Sequence, residues 1–341
     1  MIDLLVVGGG PVGVYSAICA AQSGLTVTVV DSQEGTIDKA CGEGLMPDAL
    51  KALTQIGVNP AGIDFFGIRY IAGDHQAEAR FSNGPGRGVR RTALHKALRD
   101  KALDLNIDFV HARVSEITQN HSSIMAAGIE SRYLIGADGL HSTVRRAANL
   151  EVKPGSEGRM KKRFGLRQHF KVCPWSDLVE VYWRHDVEIY VTPVDRETVG
   201  VAVLGNAILD FNDVLKRVPQ LARRLEGAAP ASKLQGAGPL HQRVRARTSG
   251  RLLLVGDAAG YVDALTGEGL KIGFAEAQAA VRAITQNDIE SYEQEWKKIT
   301  RSYRWLTGGL LYASSSKTIR KIIVPAAQYL PSVFHRLVNL L

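Results

Sequence analysis

A chain of 341 residues, 45% of them hydrophobic, holds enough apolar material for one large domain or two interleaved ones with a substantial core. No run approaches the ~18 uninterrupted apolar residues of a membrane-spanning helix, and three cysteines without C-x-x-C spacing, Cys19, Cys41 and Cys173, exclude a disulfide framework and a redox dithiol and suit a reducing cytoplasm. The net charge of +8 reads as dispersed, with clusters at residues 159–163, 243–251 and 317–321 that lack aromatic interleaving or a nucleic-acid motif, so a solvated basic face is expected, not a nucleic-acid site.

The apolar run Ile2 to Val7 predicts a buried strand. It has no leading Lys or Arg, so no signal peptide is expected. Gly8-Gly-Gly10-Pro11-Val12-Gly13 follows and opens a helical pattern, Val14 to Ser23. A second β-rich run, Leu25 to Val30, ends in Asp31. Strand, G-x-G-x-x-G, helix, strand and acid form a dinucleotide fingerprint. Gly8 permits the tight turn, Gly10 lets a pyrophosphate approach the backbone, Gly13 lets helix and strand pack, and Asp31 suits ribose hydroxyls. The fingerprint alone does not choose FAD over NAD.

Cys41-Gly-Glu-Gly-Leu-Met-Pro47 places two glycines around an acid, as a backbone turning tightly against something bulky, and Pro47 starts a helix through Leu53. Cys41 is either a small buried filler or a group at a cofactor's face. Runs 66–71 and 76–81 form a hairpin over Gly73-Asp74, and Gly84 to Gly88 reads as a loop. Arg91 then sits in the first turn of a helix, where a cation opposes the dipole, so a negative group nearby is expected unless the side chain is simply solvated.

Short strands follow at 108–111, 114–119 and 133–135. The last delivers a second glycine and acid turn, Gly136-Ala-Asp138-Gly139, with Ser142 and Arg145 beyond it. Residues 151–245 carry strands at 164–172, 178–183, 187–194 and 198–204, expected as an antiparallel meander. Val181 and Trp183 share one face, and Glu188, Tyr190 and Thr192 share a face of the next strand. Trp183 and Tyr190 are candidate substrate contacts, against plain core packing.

Leu252 to Val255 is a third apolar strand and ends in Gly256-Asp257-Ala-Ala, whose carboxylate can accept a sugar hydroxyl. Thr266-Gly267-Glu268-Gly269 then opens the helical run Leu270 to Ile284. Its free backbone N–H groups attract negative charge. Three such corners, near residues 10, 138 and 257, imply one extended ligand. Helical patterns at 292–311 and 317–341, interrupted by Pro325 and Pro331, end the chain as an amphipathic packing element or a peripheral membrane contact. No metal-spaced His cluster and no G-x-S-x-G elbow is present, so no metal is expected. The Trp-x-Trp-x-Ile-Pro element of flavin halogenases is absent, which disfavours halogenation.

The ordered set Gly8-x-Gly10-x-x-Gly13, Arg91 in R-x-x-L-x-x-x-L, Gly136-Ala-Asp138-Gly139 with Ser142 and Arg145, and Gly256-Asp257-Ala-Ala resembles the FAD-dependent oxidoreductases of the aromatic-hydroxylase (p-hydroxybenzoate hydroxylase-like) type over most of the chain. The loops at Cys41 and Thr266 look most like the geranylgeranyl-reductase branch and its natural-product monooxygenase relatives. The resemblance implies an α/β fold: a discontinuous Rossmann-like FAD-binding domain (1–62, 87–150 and 246–287), an inserted mixed, mainly antiparallel substrate sheet (63–86 and 151–245) and a C-terminal helical segment (288–341). It places Gly8, Gly10, Pro11, Val12 and Gly13 on the pyrophosphate, Asp31 on the adenosine ribose and Arg91 on the ribityl or phosphate portion. Asp138 and Gly139 fall on the phosphate side and within reach of a transient NAD(P)H, while Gly256 and Asp257 meet the ribityl chain. Gly267, Glu268, Gly269 and Leu270 lie at the flavin's pyrimidine end, with Cys41, Gly267 and Gly269 near the ring.

With one G-x-G-x-x-G, no separate NAD(P)H domain is expected. The function implied is a monooxygenase that hydroxylates or epoxidises an apolar aromatic, polyketide or isoprenoid-like molecule through a peroxyflavin, with NAD(P)H as electron donor. The alternatives are a geranylgeranyl-reductase-like saturation of an isolated double bond and, remotely, a flavin-binding sensor.

Overall fold

The computed structural model describes residues 1–152, 162–206 and 210–340. Residues 159–161 of the first basic cluster therefore lie outside the described residues. Strands Leu252–Leu254, Ile129–Gly136, Ile2–Val7, Val27–Asp31 and Asp108–His111 lie side by side in that order, all parallel. Their apolar runs are continuous because helices cover the sheet. Pro11–Gln22, Arg91–Asp104 and Gly269–Thr285 supply the cover, with Tyr15 stacked on Phe274 at 4.3 Å.

The register places the functional corners. Val7 lies opposite both Val30 and Gly136, and Gly136 lies opposite Leu254. Four neighbouring strands thus end in one row, and Gly8, Asp31, Ala137 and Val255 leave from the same edge. In an open parallel sheet that edge is where ligands bind.

Ile129–Gly136 is longer than the 133–135 expected, because its exposed Glu130 and Arg132 hide a strand that also pairs with Ile124–Ala126. The strand expected at 114–119 is reduced to Ile117–Gln119.

A second sheet runs Gln235–Ala237, Phe164–Lys171, Thr198–Gly205, Val187–Asp195, Val179–Trp183, Gly67–Ala72, His75–Arg80. The simple meander needs correction, since Phe164–Lys171 pairs with Thr198–Gly205 while Val179–Trp183 pairs, in parallel, with Gly67–Ala72. The connection at 172–178 is too long for a hairpin turn, so the two strands it joins separate. Cross-strand pairs Val181–Tyr190 and Trp183–Glu188 put the two expected faces on one surface. The opposite surface, with Ile189, Val191 and Val201, packs on Phe211–Lys216 and Pro219–Arg224, two helices not anticipated.

A small third sheet joins Gly44–Leu45, Gly86–Gly88 and Ile63–Phe65, so the expected loop at 84–88 contains a strand. Gly88 is required there: a Cβ would fall 1.6 Å from the Pro193 carbonyl oxygen of the large sheet. Helices Ser291–Ser315, Lys317–Tyr329 and Pro331–Val338 complete the chain. Pro325 does not interrupt the second of these as expected. A proline removes its own N–H, yet the helix carries on to a Leu330 N–H donating to the Ala326 carbonyl at 2.9 Å. Among the described residues no helix is long and apolar enough to cross a membrane.

Candidate functional site

Along the shared strand edge the three corners touch one another. Gly8 packs so closely on the second corner that a Cβ would lie 2.7 Å from Asp138 N, and a Cβ on Gly256 would lie 3.3 Å from Val12. Asp31 accepts from the Gly9 N–H at 2.6 Å and the Gln33 N–H at 2.7 Å. His95, one helical turn after Arg91, donates from Nε2 to the Gly9 carbonyl at 2.9 Å. Burial holds its imidazole below the usual range, so it is neutral. Sequence reasoning missed His95, although its spacing from Arg91 puts both on one helix face.

Asp138 divides its carboxylate. Oδ2 accepts from the Thr143 N–H at 2.6 Å and the Val144 N–H at 3.1 Å, capping helix Thr143–Ala147, while Oδ1 is buried without a partner. Arg145 is buried and ties this corner to the third by donating to the Ala258 carbonyl at 3.2 Å. The Asp257 carboxylate, unlike its backbone carbonyl, accepts no hydrogen bond among the described residues. Burial pushes its carboxyl up, and the cations of Arg91, Lys39 and Arg145 pull it down. Those charges place Arg91 toward Asp257, as an element crossing from the first corner to the third.

The Cys41 loop is clamped between the cofactor edge and the second sheet. Glu43, buried in a left-handed conformation at φ 59°, accepts from the Arg91 N–H at 2.8 Å and pairs through Oε2 with His169 Nε2 at 2.5 Å. This carboxylate is the negative group expected beside the Arg91 helix start. Thr192 donates to the Gly42 carbonyl at 2.8 Å, and Arg167 grips Asp38 and the Lys39 carbonyl. Cys41 Sγ, half-buried, accepts from the Glu43 N–H at 3.4 Å.

On the other side, Gly267 has φ 71° and Glu268 precedes helix Gly269–Thr285. Burial raises the Glu268 carboxyl, with Lys271 at 3.4 Å opposing the rise. A cavity of about 290 Å³ borders Asp257, walled by Tyr261, Gly269, Ile272, Trp296 and Tyr303. Tyr190 donates to the Leu265 carbonyl at 2.8 Å, so it reaches the segment between the Asp257 corner and the Gly267 turn. Trp183 lies deeper, buried edge-on to Tyr70 at 5.3 Å with the Arg320 guanidinium 5.5 Å from its ring centre.

Beside them runs an ionic chain that sequence reasoning missed. Glu188 pairs with Arg163 at 2.7 Å and Arg320 at 2.5 Å, and Arg163 pairs with Asp263 at 2.9 Å, all four being buried. Burial pushes the Asp263 carboxyl up to about 6, against the opposing pull of Arg163.

Glu276, also unanticipated, accepts from the Gly256 N–H at 2.6 Å, and burial raises its pKa to about 8. A carboxyl raised in the folded state stabilises the fold fully below its unfolded pKa and loses that contribution as pH climbs through the folded value. Glu276→Gln keeps an acceptor for Gly256 without the titration. Melting temperatures of the wild type are expected to fall from about pH 5 to pH 8 more steeply than those of E276Q. Parallel melting curves across that range would remove Glu276 from the explanation.

The edge fits FAD. Arg91 Nε and Asp138 Oδ1 are buried without partners, Asp257 is unmatched, and a Cβ on Gly10, Gly139 or Gly267 would meet nothing within 4 Å. Donors, a carboxylate and glycine backbone thus line one row, as a long dinucleotide requires.

Comparison with known proteins agrees. The chain is 26% identical to digeranylgeranylglycerophospholipid reductase of Methanosarcina acetivorans, over 87% of this chain and 81% of the relative. It is 26% identical to menaquinone reductase of Mycolicibacterium smegmatis, over 88% and 80%. Among solved structures, a flavin-dependent halogenase, CmlS, superposes with a TM-score of 0.80 at 16% identity, covering 94% of this chain and 67% of that one. A flavoprotein/dehydrogenase from Cytophaga hutchinsonii superposes with a TM-score of 0.78 at 19% identity, covering 99% and 96%. At those identities the structures speak for the fold alone. The FAD binding domain family matches residues 1–287, and with the corners, the unmatched polar atoms and the sheet edge this makes the chain a member of that family, a flavoprotein oxidoreductase with FAD as its cofactor.

Proposed function

We propose that this flavoprotein takes electrons from NAD(P)H and saturates an isolated carbon–carbon double bond in an apolar, isoprenoid-like molecule. The observation that carries the reading is the clamped Cys41-Gly-Glu-Gly-Leu45 loop, which Glu43, Thr192 and Arg167 hold between the cofactor edge and the sheet. The reductase names of the two relatives support it. FAD, when bound, relays hydride from the nicotinamide to the substrate.

Reduction of an alkene also needs a proton on the second carbon. Cys41 is the candidate donor, held at a fixed height by its Sγ contact with the Glu43 N–H. Tyr261, Ile272, Trp296 and Tyr303 give the cavity an apolar wall for a hydrocarbon chain, alongside the ionisable Asp257, Arg247 and Glu276 that also line it. Thr192, Glu43 and His169 position the loop. The sheet and the last helices exclude water.

The ordered motifs that resemble the aromatic hydroxylases support a second reading, insertion of one oxygen atom. Turnover of a polyprenyl alkene with NAD(P)H, in air and without oxygen, separates the two. Under the reductase reading the product gains two hydrogens in both atmospheres. A product that gains one oxygen, and forms only in air, would overturn it. Cys41→Ala is expected to lower turnover about 100-fold or more, as loss of a general acid does. Bleaching of the flavin by NAD(P)H should stay at the wild-type rate in that variant, and Cys41→Ser should recover part of the loss.

A further inference from the structure

We infer that the last three helices dock on an anionic lipid surface. The inference is independent of the reaction performed, because it rests on the outer face of these helices.

The excess charge is not spread along the chain, as its clusters first suggest. Residues 296–341 hold eight Lys and Arg and no Asp or Glu, so they account for the whole net charge of +8. Of these, Lys297, Arg301, Arg304, Lys321 and Arg336 are exposed, whereas Arg320 is turned inward to Glu188. Apolar side chains stand among the outward cations. In Ser291–Ser315, Arg301, Trp305, Gly309 and Tyr312 follow one helical stripe, with Trp305 75% and Tyr312 78% exposed.

In Lys317–Tyr329 the exposed stripe is Ile319, Ile322 and Tyr329. In Pro331–Val338 and just beyond it is Val333, Leu337 and Leu340. The inner faces of these helices are already committed, with Val324, Phe334 and Val338 packed on the second sheet. The outer stripe is therefore a second apolar face left in water.

An apolar stripe of Trp, Tyr, Ile and Leu flanked by Lys and Arg, with no acid beyond Glu295, is complementary to a bilayer of acidic headgroups. The aromatic rings sit at headgroup depth, and the cations meet phosphate. A second copy of this chain is a poorer match, since the two patches would set five exposed cations, Lys297, Arg301, Arg304, Lys321 and Arg336, against the same five, with no acid among residues 296–341.

The test is co-sedimentation of the FAD-loaded protein with phosphatidylglycerol-containing vesicles and with pure phosphatidylcholine vesicles. Binding to the anionic vesicles is expected to be at least about tenfold stronger and to weaken as salt is raised. Trp305→Ser with Ile322→Ser, and separately Lys321→Gln with Arg336→Gln, should each weaken it about tenfold or more. Both pairs lie on the exposed face, and unchanged melting and flavin content would show that they fold.

Equal binding to both vesicle types, no binding to either, or variants that bind as the wild type does would each overturn the inference. So would a concentration-dependent dimer that the Trp305 and Ile322 variant abolishes, because the patch would then be a self-interface.

Discussion

Gly13→Ala is expected to yield a chain that neither melts as the wild type does nor retains flavin, the largest effect of any single methyl group at the site. A Cβ at this position would stand 1.8 Å from the Gly8 carbonyl oxygen and 3.2 Å from the Ala137 side chain. The carbonyl cannot move aside cheaply, because the neighbouring turn is pinned by the Gly8 N–H to Val30 at 2.7 Å and the Ala137 N–H to Val7 at 2.7 Å. Helix Pro11–Gln22 would have to lift off the central strand, and the cost should exceed the ~3 kcal/mol usual for overpacking.

Gly10→Ala is the informative contrast. Gly10 has φ −70°, open to any residue, and its Cβ would meet nothing within 4 Å. The folded chain should tolerate that alanine within about 1 kcal/mol, yet the methyl would project where the dinucleotide backbone passes. Purified G10A should melt near the wild type but carry little flavin, while G13A loses both properties. Flavin content at the wild-type level in G10A would refute close backbone approach there, and a wild-type melt of G13A would refute the packing argument.

The same physical demands decided what could be read before the fold was known. Ile2–Val7, Val27–Asp31 and Leu252–Leu254 showed as apolar runs because helices cover the sheet, and the corners that follow showed because only glycine and short acids suit such turns. The neighbour relations of the second sheet did not show. Phe164–Lys171 and Val179–Trp183 are consecutive in sequence, and nothing in their alternation says that one pairs with Thr198–Gly205 and the other with Gly67–Ala72. The small sheet at 44–45, 63–65 and 86–88 was hidden because its strands are too short to show an alternation and two of them carry glycine, which disfavours a strand reading.

Buried charge was the least visible component. Glu43 and His169 are 126 positions apart, and each read alone is an ordinary surface residue. Only the folded register brings acid to base, and that pairing is what holds the Cys41 loop in place. Strand periodicity put Trp183 with Val181 and Tyr190 with Glu188 and Thr192, each on its own strand, but that these faces form one surface and how deep the two rings lie were set by strand pairing and by helices that the pattern did not specify.

Glu188→Ala is expected to be the most damaging change away from the corners, lowering stability by about 3–5 kcal/mol, the range for breaking a buried ion pair from one side. In the wild type two guanidinium groups, Arg163 and Arg320, face two carboxylates, Glu188 and Asp263, away from water. Removing Glu188 leaves two cations against one acid. It also removes a negative charge that raises the Asp263 carboxyl, so Asp263 should ionise at lower pH and draw Arg163 toward itself.

Asp263 lies between the Gly256-Asp257 corner and the Thr266-Gly-Glu-Gly269 turn, and its side chain accepts from the Leu265 N–H at 3.0 Å. The damage should therefore reach the cofactor edge, and E188A is expected to lose flavin more readily as well as melt earlier. Charge balance, rather than lost packing alone, predicts rescue: Glu188→Ala with Arg320→Met removes one charge of each sign, leaves Arg163 with Asp263, and should recover more than half of the stability. If the double variant melts no higher than E188A, the four groups do not act as a charge-balanced unit, and the link drawn from the last helices through the sheet to the cofactor turn fails with it.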